Sequence, residues 1–255
     1  MGATELILVR HGESLGNVAA AEARESGAEV IDVPARDADV ELSPTGVDQA
    51  QALGRWLAEL PEADRPDAVW SSPFRRAHDT ALTALDVAGM DLPVRLDERL
   101  RDRDLGITDT LTTAGIRKRY PEEAERREWH GKFYYRPSGG ESWADIALRI
   151  RSLLADLERQ RRHRRVLITC HDAVLLVFRY VCEELDEAGV LEISRTQTVR
   201  NAAVTRLVRE EDADTWTLAE FNSADHLRER GVPVTAQSSP SDERVQSADE
   251  AGELQ

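Results

Sequence analysis

Lysine is almost missing from this 255-residue chain: Lys118 and Lys132 are the only two among 33 basic residues, so arginine carries nearly all the positive charge. The skew reads as coding bias more than chemistry. Positive charge is also in deficit overall, with a net charge of −15 and an isoelectric point near 4.9. That balance argues against a nucleic-acid surface or an anionic membrane as partner. Any phosphate site must then be a local arginine cluster held against an unfavourable field. Cysteine is scarce too. Cys170 and Cys182 offer no disulfide framework and fit a reduced, cytosolic protein. No basic-then-apolar leader opens the chain, and no apolar run approaches the ~18 residues of a membrane span, so a soluble cytoplasmic protein is expected. His, Cys and Asp are not clustered at metal-ligand spacing, so neither a metal nor a cofactor is expected.

What is present is an alternation of β-rich runs and helical patterns, with 41% apolar residues to build a core. This is the signature of a three-layer α/β/α fold with a mainly parallel sheet. Strands are predicted at 5–9, 68–71, 94–96, 166–169, 203–208 and 217–221. Ser43-Pro44 opens one helix with a capping residue and a first-turn proline, and a second helix is predicted over 143–162. Residues 19–40 are acidic and weakly patterned, and read as a loop. From about Asp225 the apolar pattern stops, which predicts a catalytic domain over 1–224 and a disordered acidic tail over 225–255.

Leu6-Ile7-Leu8-Val9 runs straight into Arg10-His11-Gly12-Glu13-Ser14. A buried strand that ends this way delivers its last residues to the sheet's carboxyl edge, where open α/β sheets hold ligands. Arg10 supplies a forked cation for phosphate, His11 a nucleophilic imidazole, and Gly12 a tight turn. Two further stretches end strands at the same edge: Ser71-Ser72-Pro73-Phe74-Arg75-Arg76 and Val166-Leu167-Ile168-Thr169-Cys170-His171-Asp172. If these strands are neighbours, His11, Arg10, Arg75 and His171 converge on a pocket for a tetrahedral dianion. Phosphoryl transfer needs little beyond such positioning and charge.

In sequence these motifs resemble the histidine phosphatase superfamily, whose best-known branch is the cofactor-dependent phosphoglycerate mutases. The resemblance spans about 6–208. It rests on Arg10-His11-Gly12-Glu13-Ser14 with Asn17, Leu42-Ser43-Pro44-Thr45-Gly46, Ser71-Ser72-Pro73 with Arg75, and His171. It implies His11 as the phosphorylated nucleophile, with Arg10, Asn17, Arg75 and His171 around the phosphate. Asp102 is favoured as the general acid, with Asp172 and, in a slipped register, Glu98 as alternatives. Asp102 stands where this branch carries glutamate, in Leu100-x-Asp102-x-x-x-Gly106, and Asp172 stands where the acid-phosphatase branch carries its aspartate. Whichever acts must hold a proton, so its pKa should be raised.

The stretch from Lys132 through Glu141 is also similar to the fructose-2,6-bisphosphatase domain. That similarity implies Lys132, Tyr135 and Arg136 as sugar-phosphate contacts and Glu141 as a pocket wall, although Gly139 replaces an expected arginine. Arg103 would bind a substrate carboxylate, and Ser14 is added to the substrate set. Cys170 beside His171 offers a thiol nucleophile as a competing chemistry, with a buried strand cysteine as its plain reading. His130, His163 and His226 are expected to be exposed. The expected activity is hydrolysis of a small phosphorylated substrate through a phosphohistidine. A mutase and an inactive phosphate-binding protein are the alternatives, and the oligomeric state is left open.

Overall fold

We describe residues 2–33, 36–160, 162–211, 213 and 215–236 of a computed structural model. Their elements are β1 (Glu5–Arg10), α1 (Leu15–Glu25), α2 (Pro44–Glu59), β2 (Ala68–Ser71), α3 (Arg75–Ala88), β3 (Val94–Leu96), α4 (Thr113–Arg119) and α5 (Pro121–Tyr134). These are followed by α6 (Trp143–Arg159), β4 (Arg165–Cys170), α7 (Asp172–Cys182), α8 (Glu187–Thr196), β5 (Val204–Val208), β6 (Thr217–Ser223) and α9 (Asp225–Arg228).

The six strands form one sheet in the order β3-β2-β4-β1-β5-β6. The four strands from β3 to β1 are parallel, and only β5 runs against its neighbours. The mainly parallel α/β sheet expected from the sequence is therefore present. Strand side chains alternate faces. Leu6, Leu8, Trp70, Val166 and Ile168 join the core beneath α6 and α7. Ile7, Val9, Val69 and Leu167 join the core beneath α2 and α3. Being covered on both sides makes β1 and β4 continuous apolar runs, and such runs are easy to read.

The helix starts are set by short polar side chains. Ser43 Oγ accepts from Gly46 N, with Pro44 in the first turn, and Ser142 and Asp145 form a reciprocal capping box at α6. Residues 19–40 depart from the loop expected there, because α1 occupies their first part. Ser14 and Asn17 cap it reciprocally, and its small apolar face (Ala20, Ala23) packs on Ile31.

The expected tail also begins as packed structure. Leu227 and Ala224 bury themselves against Ala52 of α2, with Val232 and Val234 alongside. His226, expected at the surface, is buried, and its pKa is pushed down to about 4 by burial and then by Arg230. His130 is exposed and His163 half-buried. Residues 237–255 of the expected tail lie outside the described residues. No helix among the described residues is long and apolar enough to cross a membrane.

Candidate active site

β1 and β4 are paired so that Arg10 lies opposite Cys170. The next residue of each strand, His11 and His171, therefore emerges at one point on the sheet edge, with ring centroids 5.1 Å apart. Ser71 of β2 lies opposite Thr169, which brings Ser72 to the same point, and Ser72 Oγ sits 2.9 Å from His171 Nε2. Gly12 is required here for close approach: a Cβ would meet Gly46 O at 2.6 Å, and a Cβ on Gly46 would meet Glu13 O at 1.9 Å. The loop after β1 is thus clamped onto the first turn of α2. Gln49 Oε1 accepts from Glu13 N at 2.8 Å, and Thr80 Oγ1 accepts from Gly12 N at 3.0 Å.

His11 is buried and oriented by its backbone. Its Nδ1 lies 2.7 Å from Gly12 O, which fixes the proton on that nitrogen and leaves the Nε2 lone pair facing the cleft. Arg76 Nε donates to Nε2 at 3.3 Å. Burial, then the charges of Arg76, His171 and Arg10, hold the ring's pKa well below 6.5. A neutral, directed imidazole is what a nitrogen nucleophile requires.

The arginine at this point is Arg76, and this corrects the assignment of Arg75. Arg75 points to solvent and pairs with Glu41 and Asp79, whereas Arg76 is buried against His11, Asp37 and Asp102. The reason is helix phase. The inward face of α3 includes Arg76, Ala77, Thr80, Ala81 and Ala84, and Arg75, one residue back, lies about 100° around the helix and off that stripe. Arg76→Ala is therefore expected to lower kcat/KM for phosphate release by about 10²- to 10³-fold. Arg75→Ala should stay within about threefold of wild type, as exposed pairs contribute little. The reverse ranking in a steady-state assay would restore Arg75.

Asp102 sits between Arg76 and His171. Its Oδ2 lies 2.9 Å from Arg76 Nη2 and 3.3 Å from His171 Nδ1, and its Oδ1 accepts from Arg103 N at 2.8 Å. Burial acts to raise its pKa, but His171, Arg76 and the Arg103 N–H together hold the carboxyl well below the usual range. This opposes the raised value expected for a proton donor: in this arrangement Asp102 is a carboxylate. Burial in turn lowers the pKa of His171, against the pull of Asp102. Asp172 also lines the cleft, at the first turn of α7.

Arg10 is buried, with Nη1 2.5 Å from Val199 O. Asn17 Oδ1 accepts from Ser14 N and from Asn201 Nδ2, so its NH₂ end is the one left for the cleft that Asn17 and Ser14 line. The cleft encloses about 860 Å³ with its mouth, and its outer walls are largely apolar: Ala20, Ile31, Val33, Val40 and Leu105, with Asp37 and Asp109. Arg103 lines it too, its Nε donating to Glu141 O and its Nη2 to Tyr135 O.

The other substrate residues expected from the sequence do not line the cleft. Lys132 reaches Ser194 and lies over the Trp143 ring, and Arg136 pairs with Asp145. Tyr135 donates to buried Glu123 in a neighbouring cavity. Glu141 binds Arg101 and Arg149 behind the Asp102 loop. The Cys170 thiol is wholly buried, which drives its pKa far up and removes it as a nucleophile.

Two residues of the site were missed in the sequence. Arg149 of α6 donates to the carbonyls of Arg99, Arg101 and Asp102 and so holds the loop that presents Asp102. An arginine set in the apolar stripe Ile146, Ile150, Leu153 was the available signal. Asn201, fully buried, binds His11 O through Nδ2 and carried no local signal. Among the described residues no three His, Cys, Asp or Glu are grouped as a metal site would need.

Paired histidines, inward arginines and a carboxylate at the carboxyl edge of a parallel sheet define a phosphoryl-binding α/β protein. The chain belongs to the histidine phosphatase superfamily (branch 1), whose model matches residues 6–224. It is 34% identical over 170 residues to the rat 6-phosphofructo-2-kinase/fructose-2,6-bisphosphatase 3, covering 67% of this chain and 26% of that protein. It is 33% identical over 170 residues to the Saccharomyces cerevisiae fructose-2,6-bisphosphatase, covering 66% and 32%. The chain thus spans about a quarter to a third of the length of these relatives. Among solved structures it is similar to the mycobacterial glucosyl-3-phosphoglycerate phosphatase, at 28% identity and a TM-score of 0.69, covering 87% of this chain and 99% of that one. A putative α-ribazole-5′-P phosphatase from Escherichia coli shares the fold, with a TM-score of 0.71 at 20% identity over 87% of this chain and 97% of that one.

Proposed function

We propose that the protein is a metal-independent phosphomonoester hydrolase working through a phosphohistidine at His11. The observation that carries this reading is the fixed His11 tautomer, with its lone pair facing the buried Arg76. In the first step the Nε2 lone pair attacks phosphorus and the P–O bond to the alcohol breaks. Arg10, Arg76 and the Asn17 amide hold the phosphoryl oxygens, while His171, bonded to Ser72 and facing Asp102, orients the acid. Asp102, protonated from solvent once the phosphate is bound, gives that proton to the departing oxygen. In the second step water attacks phosphorus, its proton passes to the Asp102 carboxylate, and the P–N bond breaks. An open cleft admits that water, which favours hydrolysis over a mutase, whose site must exclude it.

The substrate of this reading is a small phosphorylated metabolite with a single phosphate. Of the cationic side chains lining the cleft, Arg10 and Arg76 serve the reacting phosphate, and Arg103 is committed to two carbonyls. Asp37 and Asp109 occupy the walls where a second anion would lie. A reducing, cytoplasmic setting belongs to the same reading, supported by two free cysteines that are both buried. The test is phosphate release in excess EDTA from p-nitrophenyl phosphate, sugar monophosphates, 3-phosphoglycerate and fructose 2,6-bisphosphate. Monophosphates of uncharged alcohols are expected to lead by about tenfold or more in kcat/KM. A preference for the bisphosphate, or activity lost in EDTA, would refute the respective part of the proposal.

A further inference from the structure

The family match ends at residue 224, yet the next twelve residues reach the back of the phosphate pocket. After α9 the chain turns, Val232 and Val234 pack against the α2 side of the fold, and Thr235 arrives between two fully buried amides, Gln49 and Asn201. Thr235 Oγ1 accepts from Gln49 Nε2 at 2.9 Å and donates to Asn201 Oδ1 at 3.1 Å. Gln49 Nε2 also donates to Pro233 O, and Thr235 O accepts from Asn201 N at 2.9 Å.

The polarity of this relay matters. Backbone partners fix which end of each amide points where, since Pro233 O takes the Nε2 end of Gln49 and His11 O the Nδ2 end of Asn201. The one hydroxyl proton of Thr235 then satisfies Asn201 Oδ1. Gln49 must then present Oε1, which receives Glu13 N. Asn201 must present Nδ2, which reaches His11 O and Asn17 Oδ1. Those contacts hold the loop that carries the nucleophile and turn the Asn17 NH₂ towards the cleft. Without the hydroxyl, Oδ1 of the fully buried Asn201 loses its donor. A flip of that amide to find a donor would set oxygen against His11 O and Asn17 Oδ1. Buried networks of this kind hold one geometry only while every member is satisfied.

We propose that Thr235, beyond the family match, is a positioning residue for the phosphate pocket, acting through the Asn201 and Gln49 amides. The inference rests on the reading of the cleft as a phosphoryl-transfer site, and its test separates the two. Thr235→Val removes the hydroxyl at nearly constant shape, and Thr235→Ser retains it. Three quantities are measured on the full chain: kcat and KM for p-nitrophenyl phosphate, the Kd of inorganic phosphate by calorimetry, and the urea midpoint. Thr235→Val is expected to weaken phosphate binding and lower kcat/KM in parallel, by about 5- to 20-fold. Thr235→Ser should restore most of both. Thr235→Ala is the second hydroxyl deletion should the valine variant not fold.

Phosphate affinity and kcat/KM within twofold of wild type in a folded hydroxyl deletion would overturn the proposal, even if the urea midpoint fell, because Thr235 would then only stabilise the fold. A serine variant as impaired as the valine one would overturn it as well. Absence of turnover in the wild type would refute the hydrolase reading while leaving the phosphate Kd to decide the role of Thr235.

Discussion

His11→Ala is expected to lower phosphate release by at least ~10³-fold while far-UV circular dichroism stays that of the wild type. No other group can take over the attack. His171 lies at the same edge, but its Nε2 is tied to Ser72 and its Nδ1 faces Asp102, and the Cys170 thiol is inaccessible. The fold should survive because, among the described residues, the His11 ring makes only two hydrogen bonds, to Gly12 O and from Arg76 Nε, and belongs to neither apolar core.

The lowered pKa of His11 gives this prediction a pH arm. The nucleophile must be unprotonated, and an ordinary imidazole with a pKa near 6.5 would be about nine-tenths protonated at pH 5.5. With the pKa held below 6.5, the ring keeps its lone pair to lower pH than a free imidazole does, so the acid limb of kcat/KM is expected to lie below pH 6.5. A roughly eightfold fall in kcat/KM between about pH 7 and 5.5 would mean that His11 titrates like a free histidine. The same shift carries a stability consequence of definite sign. Between its ordinary and lowered pKa the unfolded ring binds the proton more tightly, so its contribution is full above about 6.5 and declines as pH falls. Residual activity of His11→Ala within tenfold of wild type would remove the residue from the nucleophile's role altogether.

The contrast between what could and could not be read from the chain follows from burial and phase. β1 and β4 stand out in sequence because both faces of each strand are covered, and their ends place His11 and His171 without further information. α1 does not stand out, since its inner face is two alanines and its outer face is acidic. Arg75 and Arg76 are adjacent and chemically identical, and only the phase of α3 decides which one faces inward. That phase was legible in Thr80 and Ala84, which lie four and eight residues after Arg76 and share its face. Lys132, Arg136 and Glu141 carry the right chemistry in the right order, yet each is claimed by a neighbour outside the cleft. Lys132 and Glu141 find partners 62 and 40 residues away, in Ser194 and Arg101, and Arg136 reaches Asp145 across a loop, so no helical or strand periodicity reports them. The segment after Asp225 was concealed by its polarity, since its apolar anchors are Leu227, Val232 and Val234 alone and the rest of its hold is polar.

Asp102→Asn is the second large effect expected, and it depends on the substrate. With an alkyl phosphate the departing alkoxide needs a proton, and loss of the donor should lower kcat by about 10²- to 10⁴-fold. With p-nitrophenyl phosphate the departing phenolate is stable unprotonated, and the loss should be smaller by at least about tenfold. The difficulty is that His171 and Arg76 pull Asp102 towards the carboxylate form. Substrate supplies the remedy. A phosphate dianion bound at Arg76 takes up the charge that stabilises the carboxylate and adds negative charge of its own beside it. Both effects favour the protonated acid. The proton donor is thus formed when the phosphate arrives, and the carboxylate returns as base once the alcohol has left. Asp172, the other aspartate candidate, hydrogen-bonds the backbone N–H of Ala173 at the start of α7, whereas Asp102 contacts Arg76, next to the nucleophile. Asp172→Asn should therefore change alkyl and nitrophenyl substrates alike. A leaving-group dependence that followed Asp172 and spared Asp102 would reverse the two roles.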